Sequence, residues 1–205
     1  MSVPVYPSEL VPQLYSVDLR SRCFYILDEI CIESLAPIVR GIIHLNEQEP
    51  TDMRPIKLYI CSEGGDLFPT FALLDVMRLS KIPIHTVGIG DVSSAAILLL
   101  IAGHKRYATP STWMMHHQST SNASGTEMEI EVRAAAAAKV SKATYKIMER
   151  FTNKTARFWE NAAKRKAEFW LDPKAMKEHG VIDEILEETV KEAPNVRPDD
   201  SSATA

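Results

Sequence analysis

Two adjacent serines mark a place where this sequence could support acyl-transfer chemistry. Ser93 and Ser94 stand where a β-prone run, punctuated by Gly90 and Asp91, passes into a uniformly apolar segment. A hydroxyl at the start of a helix lies near free backbone N–H groups and the positive end of the helix dipole. The alternative is that one of these serines is only the N-cap of the helix. The pattern is not the GxSxG elbow of the α/β-hydrolases, so spacing alone leaves both interpretations open.

Two histidines supply a candidate general base for such a serine. His116 and His117 close the β-prone run 113–115 and precede Gln118. Side chains alternate between the two faces of a strand, so the two imidazoles are expected on opposite faces. One of the two can therefore face Ser94 across a cleft and accept its proton.

A glycine turn and two acidic residues complete the set of candidate groups. Gly64 and Gly65 follow a predicted strand and precede a predicted helix, where uncovered backbone amides can bind an anion. A purely structural turn is the alternative. Glu168 and Asp172 flank a short aromatic run, and either carboxylate could hold a histidine in the tautomer that a base needs. Solvated surface positions are the alternative for both acids.

Composition and motif content argue against several other functions. The 205 residues carry a net charge of −4, so a nucleic-acid partner is not expected. The sequence has no GxxxxGK[ST], HExxH or CxxC pattern, so neither ATP binding through a P-loop nor a metal site is predicted. The longest apolar run, 95–102, is too short to span a membrane, and no signal-peptide layout opens the chain. Three cysteines, an odd number, are expected as reduced core residues of a cytoplasmic protein.

Alternating strand and helix patterns predict the elements that position these groups. Three β-α units follow one another, an order typical of an α/β fold with a largely parallel sheet. The predicted strands cover 23–27, 57–61, 82–89, 106–108, 113–115 and 181–186, and the predicted helices cover 32–45, 68–79, 93–101, 127–151, 155–166 and 173–179. The helix 93–101 is apolar on all sides and should be completely buried.

The chain is predicted to form one domain over 20–186. An irregular, proline-containing arm (1–19) precedes it, and an acidic tail (187–205) that is expected to be disordered follows it. Within the domain, a polar loop (118–126) leads into the alanine-rich helix 127–151. That helix is too long and thinly apolar for simple packing on a sheet, so we expect it to project and meet a second copy. A solvated surface helix is the alternative.

Taken in order, these segments resemble the proteolytic subunit of Clp protease, ClpP. Each motif is weak alone, but their order and spacing over 20–186 are specific. The matching segments are the Gly64-Gly65 turn, the segment 90–94, Ala102-Gly103, Pro110, His117-Gln118, the loop 119–126, the helix 127–151, Glu168 and the segment 175–183.

The resemblance implies a role for each candidate group. Ser94 would be the nucleophile of a serine endopeptidase, His117 its general base and Glu168 the third member of the triad, with Asp172 as the fallback. The amides of Gly65 and Ala95 would form the oxyanion hole. No metal or other cofactor is implied.

The resemblance also implies an architecture and partners. The family fold is a crotonase-like spiral of repeated ββα units with a projecting handle, here about 118–152. Seven copies close into a ring, and two rings stack through the handles into a chamber for unfolded polypeptides or short peptides. A separate AAA+ unfoldase would consume ATP, because this chain has no nucleotide site. Neither nucleic acid nor a membrane is an expected partner.

The sequence departs from the family pattern in three places, and the first two departures keep an alternative open. Ala95-Ala96 replaces the usual Met-Gly, which retains an amide N–H but changes the shape of the cavity. Glu168 replaces aspartate, and the loop 119–125 lacks its usual proline and glycine-rich sequence. The alternative is an inactive, ClpP-like structural ring subunit, although retention of both Ser94 and His117 favours an active peptidase. A crotonase-type acyl-CoA hydratase or isomerase needs no such pair, and a Ser-Lys signal-peptide peptidase would need a membrane anchor.

Overall fold

Eight strands and six helices alternate along the described part of the chain. The computed structural model describes residues 16–48, 51–120, 124–165 and 167–187. The elements in order are β1 (Val17–Asp18), β2 (Cys23–Ile26), α1 (Ile32–Gln48), β3 (Ile56–Ser62), α2 (Leu67–Leu79), β4 (Ile84–Ser93), α3 (Ala96–Ile101), β5 (Lys105–Ala108), β6 (Trp113–His116), α4 (Glu127–Phe151), α5 (Ala156–Arg165), β7 (Phe169–Leu171), α6 (Pro173–Glu178) and β8 (Glu184–Ile185). This order confirms the predicted α/β fold.

One sheet contains all eight described strands, and β4 is its organising element. The strands β2, β3, β4, β5 and β8 are parallel neighbours in that order, and β1 adds to β2 in the antiparallel direction. The first half of β4 pairs with β5, whereas its last residues pair in parallel with β6, from Asp91 opposite Trp113 to Ser93 opposite Met115. The carboxyl ends of β4 and β6 therefore lie side by side, where a site can form.

The core lies between the sheet and the helices that cross between its parallel strands. Alternate residues of β2 and β3 point into it, so that Phe24, Leu58 and Ile60 are completely buried. All six residues of α3 are buried, which confirms the helix that was predicted to be apolar on every side. Such burial contributes about 1.5–3 kcal/mol per large side chain and holds α3 directly behind the end of β4.

Long-range pairing changes several predicted boundaries. The strand predicted over 82–89 continues through Gly90 and Asp91 to Ser93, because β6 pairs with this extension. The following helix therefore begins at Ala96 instead of residue 93. The closing strand predicted over 181–186 is only Glu184–Ile185, since the Val181 N–H bonds back to the Met176 carbonyl of α6. The run 169–171, to which no element was assigned, forms β7 against β6.

The cysteines do not lie in the core, contrary to the prediction. Cys23, Cys31 and Cys61 are each partly exposed, and all three carry free thiols. Cys23 and Cys61 belong to β2 and β3 but alternate with the buried positions of those strands, so they point to the opposite face. Apolar neighbours in the sequence indicated burial, but the strand period of two decides it.

The structure describes only part of the predicted arm, loop and tail, and it describes the whole of the long helix α4. Val17–Asp18 form β1, so the sheet begins within the segment predicted as an irregular arm. Residues 1–15, most of that arm, and 188–205, most of the predicted tail, lie outside the described residues. Residues 121–123 of the predicted loop 118–126 do so as well. Helix α4 is buried only near its end, at Thr144, Tyr145 and Met148, and its first two and a half turns are exposed.

Candidate active site

Ser94 occupies a strained turn between β4 and α3. Its φ is 54°, in the left-handed region that non-glycine residues rarely adopt. The turn is held by the Ser94 N–H, which donates to the Met115 carbonyl of β6 at 2.8 Å. Neither serine caps α3, because the Ser93 hydroxyl donates to Asp91 and the N-cap position, Ala95, has no side-chain bond. The N-cap alternative is therefore wrong, and the Ser94 side chain is available for another role.

His117 meets the hydroxyl of Ser94. The His117 Nε2 atom lies 2.8 Å from the Ser94 Oγ atom, within hydrogen-bond distance. The parallel pairing of β4 with β6 produces this contact, because it aligns the residues that follow both strands. An imidazole nitrogen at this distance can take the hydroxyl proton as the oxygen attacks a carbonyl.

His116 points the opposite way, as the alternation along the strand predicted. It is 5% exposed, and its Nε2–H donates to the Trp159 carbonyl at 3.1 Å. The rings of Tyr145 and Trp159 meet the imidazole edge-on. Burial lowers the pKa of His116 to about 4, so this imidazole is neutral at physiological pH. Of the two histidines, only His117 contacts the serine.

The glycine turn packs directly against the Ser94 turn. Gly64 and Gly65 have φ values of 100° and 144°, which glycine adopts readily. A Cβ atom on Gly64 would lie 2.7 Å from the Ser94 Cβ and 2.9 Å from the Ala95 nitrogen. The Gly65 residue is fixed from the other side, where Ile30 bridges it in parallel. The glycine turn therefore forms one wall of the site, in addition to connecting β3 with α2.

Two backbone amides at this wall have no hydrogen-bond partner in the described part of the chain. Among the described residues, no backbone carbonyl accepts a bond from the N–H of Gly65 or of Ala95. Both groups belong to the two turns that meet at Ser94. Unpaired N–H groups beside an attacking oxygen are the arrangement that stabilises a tetrahedral oxyanion.

The two acids occupy different positions relative to the histidine. The register of β6 with β7 pairs His116 with Phe169, so Glu168 is next in line opposite His117. The Glu168 carboxylate instead accepts from the Trp170 indole N–H at 2.9 Å. Asp172 is the N-cap of α6 and accepts from the Ala175 N–H at 2.8 Å. Within the described residues, no carboxylate forms a hydrogen bond with His117, so only the serine and the histidine are brought together.

A cleft of about 560 Å³ opens beside the serine and the histidine. Leu67 and Phe68, at the start of α2, line one side of it, and the inner face of α4 lines the other side with Ala136, Ala137 and Val140. The sequence interpretation did not assign these residues to the site. The run of small side chains on α4 was the available signal, because alanines leave room beside a helix.

Other kinds of site find no support in the described chain. Within residues 16–48, 51–120, 124–165 and 167–187, no group of three or more His, Cys, Asp or Glu side chains is placed to bind a metal ion. No helix in these ranges combines the length and apolar character needed to cross a bilayer. The expected lack of a cofactor stays a prediction.

Comparison with known proteins identifies the family. The sequence pattern of the Clp protease family matches residues 8–189. A relative from Treponema denticola, the ATP-dependent Clp protease proteolytic subunit 2, is 33% identical over 170 residues, which cover 82% of both chains. The ATP-dependent Clp protease proteolytic subunit 1 of Rhodopirellula baltica is 31% identical over 171 residues, 82% of this chain and 73% of that one. With its α/β fold and the match over most of its length, this chain belongs to the Clp protease family.

Proposed function

We propose that the chain is a serine endopeptidase that cleaves unfolded polypeptides or short peptides through Ser94. The observation that carries this proposal is the 2.8 Å contact between His117 Nε2 and Ser94 Oγ, beside the amides of Gly65 and Ala95, which have no partner among the described residues. A hydroxyl, a base and two N–H donors at one point are the minimum set for acyl transfer. Membership of the Clp protease family supports peptide bonds as the target.

The proposed reaction proceeds in two steps. His117 Nε2 takes the proton of Ser94 while Oγ bonds to the scissile carbonyl carbon, and the oxyanion accepts bonds from the amides of Gly65 and Ala95. The imidazolium then gives its proton to the leaving amine as the C–N bond breaks, which leaves an acyl-enzyme. In the second step His117 removes a proton from water, which attacks the ester carbonyl carbon. The imidazolium then returns this proton to Ser94 Oγ as the ester C–O bond breaks, which releases the carboxylic acid and regenerates Ser94.

The competing candidate is an inactive structural subunit, and one observation favours it. In the structure His117 forms no hydrogen bond with a carboxylate of the described residues, although a third group normally fixes the tautomer of such a base. We propose that Glu168 takes this position when substrate binds, since the pair that would follow His116 and Phe169 in the register of β6 with β7 is His117 and Glu168. The carboxylate has to leave the Trp170 indole to do so.

Changing Glu168 to glutamine is expected to lower kcat by about 10²–10⁴-fold with little change in KM. The amide cannot stabilise the imidazolium that forms during attack. Steady-state hydrolysis of a fluorogenic peptide measures the effect. The matched control is Asp172→Asn, also an acid-to-amide change, which keeps the cap of α6 because asparagine is an equally good N-cap. It should retain kcat within a few fold, and equal small losses for both variants would contradict the role of Glu168.

Assembly into rings is the second part of the proposal. The exposed first half of α4 carries Met128 and Val132, 75% and 64% exposed, which lie one turn apart on the same face, whereas Ile130, 40% exposed, lies on the opposite face. An apolar strip on a projecting helix suits burial against a second copy. We propose heptameric rings that stack in pairs through this helix.

A separate ATPase partner is the third part of the proposal. The relatives' names include "ATP-dependent", and because this chain has no P-loop we propose that a separate AAA+ unfoldase consumes the ATP. A cytoplasmic location is part of the same proposal.

Light scattering after size exclusion is expected to show particles of seven or fourteen chains of 22.9 kDa. Val132→Glu should shift the mass from fourteen chains towards seven, because it places a charge in the apolar strip. Leu79→Glu, at an 82% exposed position on α2, is the matched control and should keep the wild-type mass. A monomer at every concentration would contradict ring assembly.

The experiment that tests the catalytic proposal is labelling of the purified protein with a fluorophosphonate probe, followed by peptide mass spectrometry. The probe forms a stable bond only with an activated serine, so we expect a single adduct on Ser94. The absence of an adduct in folded, assembled protein would favour the inactive structural subunit.

A further inference from the structure

A narrow cavity leads from the serine into the core, distinct from the wide cleft along α4. Ser94 and His117 are among its lining residues, so the side chain that precedes the scissile bond, P1, would enter it if the proposed function holds. Its free volume is about 30 Å³, far less than the 560 Å³ of the cleft. The other lining residues are mostly apolar, such as Leu98 and Met148, and they include His116 and Thr144.

His116 gives this mostly apolar cavity a hydrogen-bond acceptor. Its Nε2 atom lies 3.1 Å from the Trp159 carbonyl, which can only accept, so Nε2 carries the proton. A neutral imidazole has one N–H, so Nδ1 presents a lone pair. Nδ1 forms no hydrogen bond with a described residue, so its lone pair can accept one from a group that comes within reach. The space that His116 lines is this cavity.

Thr144 adds a second acceptor to the same cavity. Its hydroxyl proton is donated to the Ser141 carbonyl at 2.7 Å, within α4. The oxygen of Thr144 is therefore left with lone pairs only. The cavity thus has mostly apolar lining and two polar residues, His116 and Thr144, whose protons are donated to the Trp159 and Ser141 carbonyls and whose free lone pairs can only accept.

We propose that His116 Nδ1 accepts a hydrogen bond from the P1 side chain, so that the enzyme favours a donor-bearing P1 residue over its apolar isostere. The small volume makes threonine and serine the suitable donors, and valine and alanine their isosteres. An apolar P1 group would displace water from Nδ1 without replacing its hydrogen bond, which costs the complex affinity. A site that is built to bond a hydroxyl rejects an analogue that lacks one.

The test compares fluorogenic peptides that differ only in threonine or valine at P1, with an aminocoumarin leaving group. For the wild-type protein we expect kcat/KM to be at least about tenfold higher for threonine. The pair of serine and alanine should show the same direction. Ratios of kcat/KM report selectivity separately from any change in the amount of active protein.

Two variants of His116 separate the acceptor from its structural role. His116→Gln can keep a donor to the Trp159 carbonyl but lacks an atom in place of Nδ1, so the threonine-to-valine ratio should fall to within about twofold of one. His116→Asn places its amide near Nδ1 and gives up the bond to Trp159, so it should keep most of the ratio despite a lower melting temperature. A purely structural role of His116 predicts the reverse order.

The outcomes also separate this inference from the proposed function. Ser94-dependent hydrolysis with a wild-type ratio near one would overturn the inference alone, even if neither His116 variant folds. A ratio that His116→Gln leaves unchanged would overturn it too. If neither peptide is hydrolysed in a Ser94-dependent way, the proposed function fails, and this inference fails with it.

Discussion

Replacing Ser94 with alanine is expected to abolish peptide hydrolysis, with a fall in kcat of about 10⁵-fold or more. The reason is that Ser94 Oγ is the atom that His117 contacts, at 2.8 Å, and without it no acyl-enzyme can form. Some acceleration over water should survive, since the amides of Gly65 and Ala95 can still polarise a bound carbonyl. Fluorogenic peptide hydrolysis and loss of the fluorophosphonate adduct measure the two consequences.

Ser93→Ala is the matched control, because it removes the same hydroxyl from the preceding residue. Ser93 is buried, and its hydroxyl donates to Asp91, away from His117. The variant should lose some stability from this hydrogen bond, about 0.5–1.5 kcal/mol, and keep most of its kcat. If Ser93→Ala were inactive and Ser94→Ala active, the nucleophile would have to be Ser93 and the proposed pair would be wrong.

The order of elements was predictable because each β-α unit carries its own signal. Short β-prone runs mark β2 and β3, and the wholly apolar run marks α3, whose six residues are all buried. The boundary between β4 and α3 was not predictable from such local patterns. It depends on pairing of Asp91–Ser93 with β6, more than twenty residues later in the chain. This pairing moves Ser94 from the expected helix start into a left-handed turn.

The candidate site was predictable in residue type but only partly in geometry. Strand alternation placed His116 and His117 on opposite faces, but it could not say which one faces the serine. That choice depends on the Trp159 carbonyl, 43 residues further along, which holds His116 inside the core. The orientation of Glu168 was likewise beyond the sequence, because the Trp170 indole competes for its carboxylate at 2.9 Å. Such competition between side chains leaves no mark on hydrophobic periodicity.

Replacing Gly64 with alanine is expected to lower kcat/KM by about 10²–10³-fold. Its φ of 100° already disfavours an L-residue, and the added Cβ would lie 2.7 Å from the Ser94 Cβ and 2.8 Å from the Ser93 carbonyl oxygen. One of the two turns must move apart to relieve these contacts. The movement would shift the Gly65 and Ala95 amides out of line with the oxyanion. Peptide hydrolysis and the rate of fluorophosphonate labelling measure this loss.

Gly90→Ala is the control that separates backbone strain from damage to the site. Gly90 also has a positive φ, 61°, but a Cβ there would meet only the Cys61 sulfur, at 3.3 Å. It should cost about 1 kcal/mol of stability, seen as a lower melting temperature, and leave kcat/KM within a few fold. Equal losses of activity in both variants would mean that backbone strain at a positive-φ position is enough to inactivate the enzyme, without any contact with Ser94. A loss confined to Gly64→Ala would instead tie catalysis to the contact between the glycine turn and Ser94.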